Sequence, residues 1–118
     1  PTLCDLTGNP VPESLHGTSL KPVLNNPAIA WKEGVFSQYF KSKPKVGKVL
    51  GTSLRTDRYR YTEWRKKDQN GALEDVTLID FQSDPDAKTN VAADPKNKEL
   101  LKKLQKLAAK SGTGIKPL

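Results

Sequence analysis

Two alternating runs separated by a few residues constrain this chain most. Val49 to Thr56 reads VLGTSLRT and places Leu50, Thr52 and Leu54 on one face of an extended segment. Arg58 to Arg65 reads RYRYTEWR, with Tyr59 and Tyr61 on one side and Arg58 and Arg60 on the other. Trp64 shares the arginine side. Only Thr56-Asp57-Arg58 separates the two runs, which predicts a tight antiparallel hairpin. A hairpin with one apolar face is not stable alone and needs further strands or a helix laid across it.

The flanking sequence supplies both. Gly34 to Phe40 (GVFSQYF) predicts a strand before the hairpin, followed by a lysine-rich loop over Lys41 to Lys48 that contains Pro44 and Gly47. Asp68-Gln69-Asn70-Gly71 is a turn signal, and Asp75 to Phe81 (DVTLIDF) predicts a fourth strand. Near the end, Asp94 is a good N-cap and Pro95 suits the first helical position. Leu100, Leu101, Leu104, Leu107 and Ala108 then share one helical face, with Lys102, Lys103, Lys106 and Lys110 opposite. Ser111-Gly112-Thr113-Gly114 ends that helix. The pattern predicts an α+β fold: a four-stranded antiparallel sheet with a C-terminal helix packed on one face.

The first third reads differently. Residues 3 to 6 look like the end of a helix stopped by Gly8, and Asn9-Pro10-Val11-Pro12 continues as extended loop. Pro10, Pro12, Pro22 and Pro27 leave residues 8 to 30 no expected regular structure beyond a turn. A chain of 118 residues that opens on Pro1 and contains no methionine reads as a cut within a longer polypeptide. The expected division is 1–32, the end of a larger neighbouring domain with its linker, and 33–118, a small C-terminal subdomain.

Composition excludes several classes. One cysteine, Cys4, excludes a disulfide scaffold, and with one histidine, His16, it excludes a cysteine- or histidine-built metal centre. No apolar run approaches the roughly 20 residues of a membrane span. Cys4 lies between Leu3 and Asp5 with no histidine beside it, which reads as a buried thiol rather than a nucleophile. His16 reads as a loop histidine. Asp84-Pro85-Asp86 resembles part of a calcium loop but lacks its remaining ligands, so it reads as a turn with Asp84 capping. Gly112-Thr113-Gly114 follows a helix rather than a strand and is no phosphate loop.

The net charge of +7 is unevenly spread. Residues 41 to 67 hold ten basic groups against Asp57 and Glu63, residues 68 to 94 hold seven acids against Lys88, and the last 24 hold seven lysines against Glu99. Such blocks are solvated faces, pair with one another, or meet an anionic partner. Basic groups interleaved with aromatics from Arg55 to Arg65 suggest a single-stranded nucleic-acid platform. Alternation argues against it, because it sends tyrosines and arginines to opposite faces.

Several stretches together resemble the C-terminal part of sulfatases of the iduronate sulfatase and choline sulfatase type. Pro1 to Glu13 (PTLCDLTGNPVPE) with His16-Gly17-Thr18-Ser19-Leu20 is similar to the segment closing that family's large domain. Phe36-Ser37-Gln38-Tyr39 resembles its next strand, and Gly51 to Trp64 (GTSLRTDRYRYTEW) is the longest match. Asp80, Asp84-Pro85 and Asn90-Val91-Ala92 resemble the strand, turn and helix approach that end the family. Thr77-Leu78-Ile79-Asp80 stands for its usual Glu-Leu-Tyr-Asp, and Tyr39-Phe40-Lys41 for its Tyr-Pro-Arg.

The resemblance implies a sulfuric ester hydrolase, acting on sulfated small molecules or saccharides, in which a Cys/Ser-x-Pro-Ser-Arg cassette becomes formylglycine and calcium polarises the sulfate. Cys4-Asp5-Leu6-Thr7 does not match the cassette, so the segment is expected to carry no catalytic or metal-binding residue and to be inactive alone. It implies docking on a large α/β catalytic domain, with Gln38, Tyr39, Arg55, Arg58 and Trp64 as interface or substrate-facing candidates. Arg55 is expected to form an inter-domain ion pair rather than to touch substrate. A periplasmic, secreted or lysosomal compartment is implied too. Two other readings compete: a stand-alone basic module for nucleic acid or sulfated polysaccharide, and an adaptor presenting the helix's leucine face to a partner.

Overall fold

A computed structural model describes residues 1–15, 17–67 and 71–111. The chain divides into Pro1–Lys32 and Glu33–Ser111, with residues 112–118 outside the described set.

Glu33–Ser111 is an antiparallel meander in the order β1-β2-β3-β4: β1 Val35–Lys43, β2 Gly47–Arg55, β3 Tyr59–Lys66 and β4 Leu73–Asp80. The hairpin predicted from Thr56-Asp57-Arg58 forms, pairing Arg55 with Arg60 and Leu54 with Tyr61. The Thr56 hydroxyl closes it by accepting from the Tyr59 N–H at 3.0 Å. The first strand runs further than expected. Lys41 to Lys43 belong to β1, and the connection shrinks to Pro44-Lys45-Val46, with Lys45 and Gly47 in the left-handed region (φ 65° and 87°). Pairing continues there because the exposed Lys41 side chain costs nothing on an edge strand. Of the second turn signal, Asp68, Gln69 and Asn70 lie outside the described residues, while Gly71 has φ +71°.

The core lies on the face that carries Leu54, Tyr61 and Leu78, all nearly fully buried with Leu104 of the closing helix. That helix, α3, spans Lys98–Ser111, after a 3₁₀ turn over Pro95–Asn97. Asp94 caps the turn, its Oδ1 accepting from the Lys96 N–H at 3.0 Å. Leu100, Leu101, Leu107 and Ala108 pack against the same cluster. The leucine face is therefore spent on the sheet, which rules out the adaptor reading that needs it exposed. Burying Leu54, Tyr61, Leu78 and Leu104 supplies on the order of 6–12 kcal/mol of gross stabilisation before chain entropy is counted.

The sheet's two edges differ. On β4, the Asn90 side chain acts as one residue of a missing fifth strand. Its Oδ1 accepts from the Leu78 N–H at 2.9 Å and its Nδ2 donates to the Val76 carbonyl at 3.1 Å. The Val91 N–H adds a bond to the Leu78 carbonyl at 2.9 Å. The Asp84-Pro85-Asp86 turn before it is closed by the Thr89 N–H donating to Asp84 Oδ2 at 2.7 Å.

In Pro1–Lys32, α1 spans Thr2–Leu6 and Gly8 follows it with φ +73°. The proline-rich stretch is more regular than its composition suggests, since α2 spans Lys21–Asn25. Pro22 falls at the first turn, where a missing N–H is harmless. Asp5 gathers this segment: Ser19 Oγ donates to its Oδ2 at 2.6 Å and Lys21 Nζ to its Oδ1 at 3.2 Å. The Ser19 hydrogen bond, then Lys21, hold the Asp5 carboxyl below its ordinary range. His16 lies outside the described residues.

Candidate functional site

The strand register sorts the candidate residues onto two faces. Gln38 pairs with Thr52 on the helix side, its Nε2 donating to Thr52 Oγ1 at 3.0 Å. On the same side Glu63 Oε1 accepts from the Tyr61 hydroxyl at 2.7 Å, and Glu63 Oε2 from Arg65 Nε at 2.8 Å. Burial, reinforced by Glu63, pushes the Tyr61 phenol well above its usual range. This group is a structural clamp on the rim of the core.

The opposite face carries the aromatic and cationic side chains. Tyr39 meets the Trp64 ring edge-to-face, with centroids 5.3 Å apart, and Lys41 Nζ sits 5.8 Å from the same indole. Trp64 is fixed by its Nε1–H donating to Thr77 Oγ1 at 3.3 Å. It lies flat across Gly51, where a Cβ would stand 2.7 Å from the ring. Gly51 is thus a packing requirement of this platform. At the other end of the face, the Arg55 guanidinium stacks on Phe81 at 3.5 Å, with Arg60 at 5.5 Å from the same ring. Stacking holds the guanidinium plane while leaving its edge donors directed sideways. Among the described residues no carboxylate pairs with Arg55.

Arg58 behaves differently from Arg55. It grips Asp80 with Nε on Oδ1 at 2.8 Å and Nη2 on Oδ2 at 2.7 Å. That bidentate pair, with the Gln82 N–H also on Oδ1, holds the Asp80 carboxyl at about 2. Arg58 is therefore engaged within the sheet, and only half of it faces solvent. The five candidates do not form one site. Tyr39 and Trp64 come together, Arg55 shares their face at its far end, Arg58 closes a hairpin, and Gln38 is on the other side.

The helix-free face is also less open than alternation alone predicts. Val49, Ile79 and Thr62 project from it and are all buried, with Thr62 Oγ1 donating to Ser53 Oγ at 3.0 Å. The signal for this lay in the apolar types of Val49 and Ile79, both on the side assigned to arginines.

No three His, Cys, Asp or Glu side chains converge on a common point among the described residues. These residues do not fit a calcium site, and no step through calcium is assigned to them. Cys4 is a free, half-buried thiol.

The model for the family described as N-sulphoglucosamine sulphohydrolase, C-terminal, matches residues 1–112. The chain belongs to this family. It is similar to a Δ4,5-hexuronate-2-O-sulfatase of Bacteroides thetaiotaomicron, 33% identical over 101 residues, which cover 86% of this chain and 20% of that protein. This sulfatase C-terminal domain thus spans about a fifth of the length of the curated relative it matches. Among solved structures it resembles a sulfatase from B. thetaiotaomicron, at 32% identity and a TM-score of 0.70, over 95% of this chain and 23% of that one. A structure described as a 2-O GAG sulfatase gives the same values. A third, in complex with D-glucosamine-2-N,6-O-disulfate, is 23% identical with a TM-score of 0.74 over 95% of this chain and 22% of that one, and it supports the fold alone. Family membership does not favour the stand-alone basic module.

Proposed function

We propose that this sulfatase C-terminal domain serves a longer sulfuric ester hydrolase acting on 2-O-sulfated uronic acid saccharides. The observation that carries the reading is the colinear match over residues 1–112, joined to a relative named for hexuronate 2-O-sulfate cleavage. The parent's catalytic α/β domain supplies the formylglycine and the calcium; the domain described here docks on it and shapes the mouth of the pocket.

Two observations support docking. Pro1–Lys32 leaves Leu3, Leu6, Leu24 and Trp31 exposed, which suits the closing segment of a larger domain. The helix-free face of the sheet carries Tyr39, Trp64 and Arg55, residue types enriched at interface cores. In this reading Arg55 pairs with a carboxylate of the catalytic domain, and Tyr39 and Trp64 pack beside it on the same face. The site of action is outside the cytoplasm, where sulfated polysaccharide fragments are met.

The test begins with the parent open reading frame, which must encode a Cys/Ser-x-Pro-Ser-Arg cassette upstream of Pro1. The purified parent is then given an unsaturated 2-O-sulfated uronate disaccharide and, separately, 2-N,6-O-disulfated glucosamine. Sulfate release from the first and at least about 100-fold less from the second is the expected result. Absence of the cassette, or release from neither, sinks the reading.

A further inference from the structure

We infer that the outer edge of β1 is a docking site for an extended segment of the same parent polypeptide, which adds a fifth strand to this sheet. The inference rests on the reading that this domain is one part of a longer sulfatase.

The register fixes which backbone groups are involved. The Thr56 N–H bonds the Tyr59 carbonyl at 2.9 Å and the Lys67 N–H bonds the Lys48 carbonyl at 3.0 Å. Antiparallel pairing alternates, so Leu54, Thr52 and Leu50 bond to β3, and the residues between them bond to β1. Their β1 partners are Val35, Ser37, Tyr39, Lys41 and Lys43. Phe36, Gln38, Phe40 and Ser42 consequently point their N–H and C=O groups away from the sheet. Within Glu33–Ser111 no backbone partner meets them among the described residues.

Such an edge ordinarily carries protection, and the other side of this molecule shows it: Asn90 and Val91 satisfy β4 at Val76 and Leu78. On β1 the register is unbroken over nine residues, with no bulge, and none of those residues is proline. Val35, Tyr39 and Phe40 are 58%, 55% and 46% exposed along it. Lys41 and Lys43 are its only charged residues, and Lys43 already leans on Asp75 at 3.8 Å. A regular, long, partly apolar edge is a template for strand addition.

The occupant follows from length and chemistry. The matched relative is about five times as long as the segment it shares with this chain, so most of the polypeptide lies elsewhere. An incoming strand would set side chains beside Phe36 and Phe40 on one face and beside Tyr39 and Lys41 on the other. The segment that fits is extended and about four to six residues long, apolar opposite the phenylalanines and acidic opposite Lys41.

Residue-resolved amide hydrogen exchange on the intact parent tests this. Paired on both sides, Gln38 and Phe40 should exchange within about tenfold of Tyr39 and Lys41, whose amides face β2. Exchange of Gln38 and Phe40 at the rate of the Lys45 turn amide overturns the inference. So does protection that fades on dilution alongside dimer dissociation, since the occupant is then a second copy. Gln38→Pro removes one outward backbone donor and no β1–β2 backbone bond, and Gln38→Ala, which loses only the side-chain bond to Thr52, is its control. The proline variant should lower the parent's Tm below the control's, and a Tm equal to the control's counts against pairing. Sulfate release separates the two readings: an active parent with fast Gln38 and Phe40 amides loses only the inference, while protected amides in a parent that releases no sulfate lose only the proposed activity.

Discussion

Arg55 and Arg58 stand three positions apart on one hairpin and end in opposite situations. Arg58 binds Asp80 through two hydrogen bonds, whereas Arg55 stacks on an aromatic ring. The Arg58–Asp80 pair makes acid stability measurable. The Asp80 carboxyl is held at about 2 against an ordinary 3.8, so the folded chain favours the ionised form. A depressed carboxyl contributes stability that is complete above its unfolded value and drains as pH falls from about 4 toward 2. Asp80→Asn should therefore be less stable than the parent sequence by about 1 kcal/mol at pH 7, a figure kept small by the half-exposed guanidinium. The gap should close near pH 2. Urea midpoints at pH 7, 4 and 2.5 check it: the gap should shrink to roughly a third by pH 2.5, and a gap as large there as at pH 7 would show that Asp80 acts through packing instead.

At the level of strands and helices, much was legible because local signals agreed with one another. The alternation around Thr56-Asp57-Arg58 gave the hairpin, and Asp94-Pro95 with the leucine spacing gave the helix and its buried face. The extension of β1 to Lys43 was not legible, since lysines on an edge strand look like a loop when read alone. Nor was the role of Asn90. A side chain that imitates a strand leaves no periodicity, and only the Leu78 and Val76 partners reveal it. The tyrosine-and-arginine partition held for Tyr59, Tyr61 and Arg60 but not for Arg58, whose guanidinium lies 4.9 Å from the Tyr59 ring as it reaches Asp80, and the platform of Tyr39 and Trp64 depends on strand pairing that brings residues 25 positions apart together. Asn90→Ala tests the edge latch. Leaving the Leu78 N–H and Val76 carbonyl unpaired should cost about 1–3 kcal/mol. The Leu78 amide should exchange at least about tenfold faster relative to Tyr61. An unchanged ratio would mean that Val91 alone secures the edge.

Across the whole chain, the blocky charge of the sequence is partly self-neutralised. β3 and β4 are neighbours, so Arg58 and Lys66 from the basic stretch meet Asp80 and Glu74 from the acidic one, and Lys43 of β1 reaches across the sheet to Asp75. Those pairs remove much of the case for a polyanion-binding surface and single out the cations without such partners. Arg55 is the most closely stacked of them, 3.5 Å from the Phe81 ring, while its donors stay unclaimed by any described carboxylate. A pre-positioned guanidinium suits a buried ion pair with a second domain, where losing one partner strands the other charge. In the intact parent, Arg55→Ala should lower Tm and soluble yield by that mechanism, with KM for the sulfated substrate staying within about twofold. Arg55→Lys should rescue only part of the stability, since an ammonium neither stacks nor offers a fork. If instead yield and Tm are normal and KM rises tenfold or more, Arg55 reaches the substrate, and the helix-free face lines the pocket rather than the domain boundary.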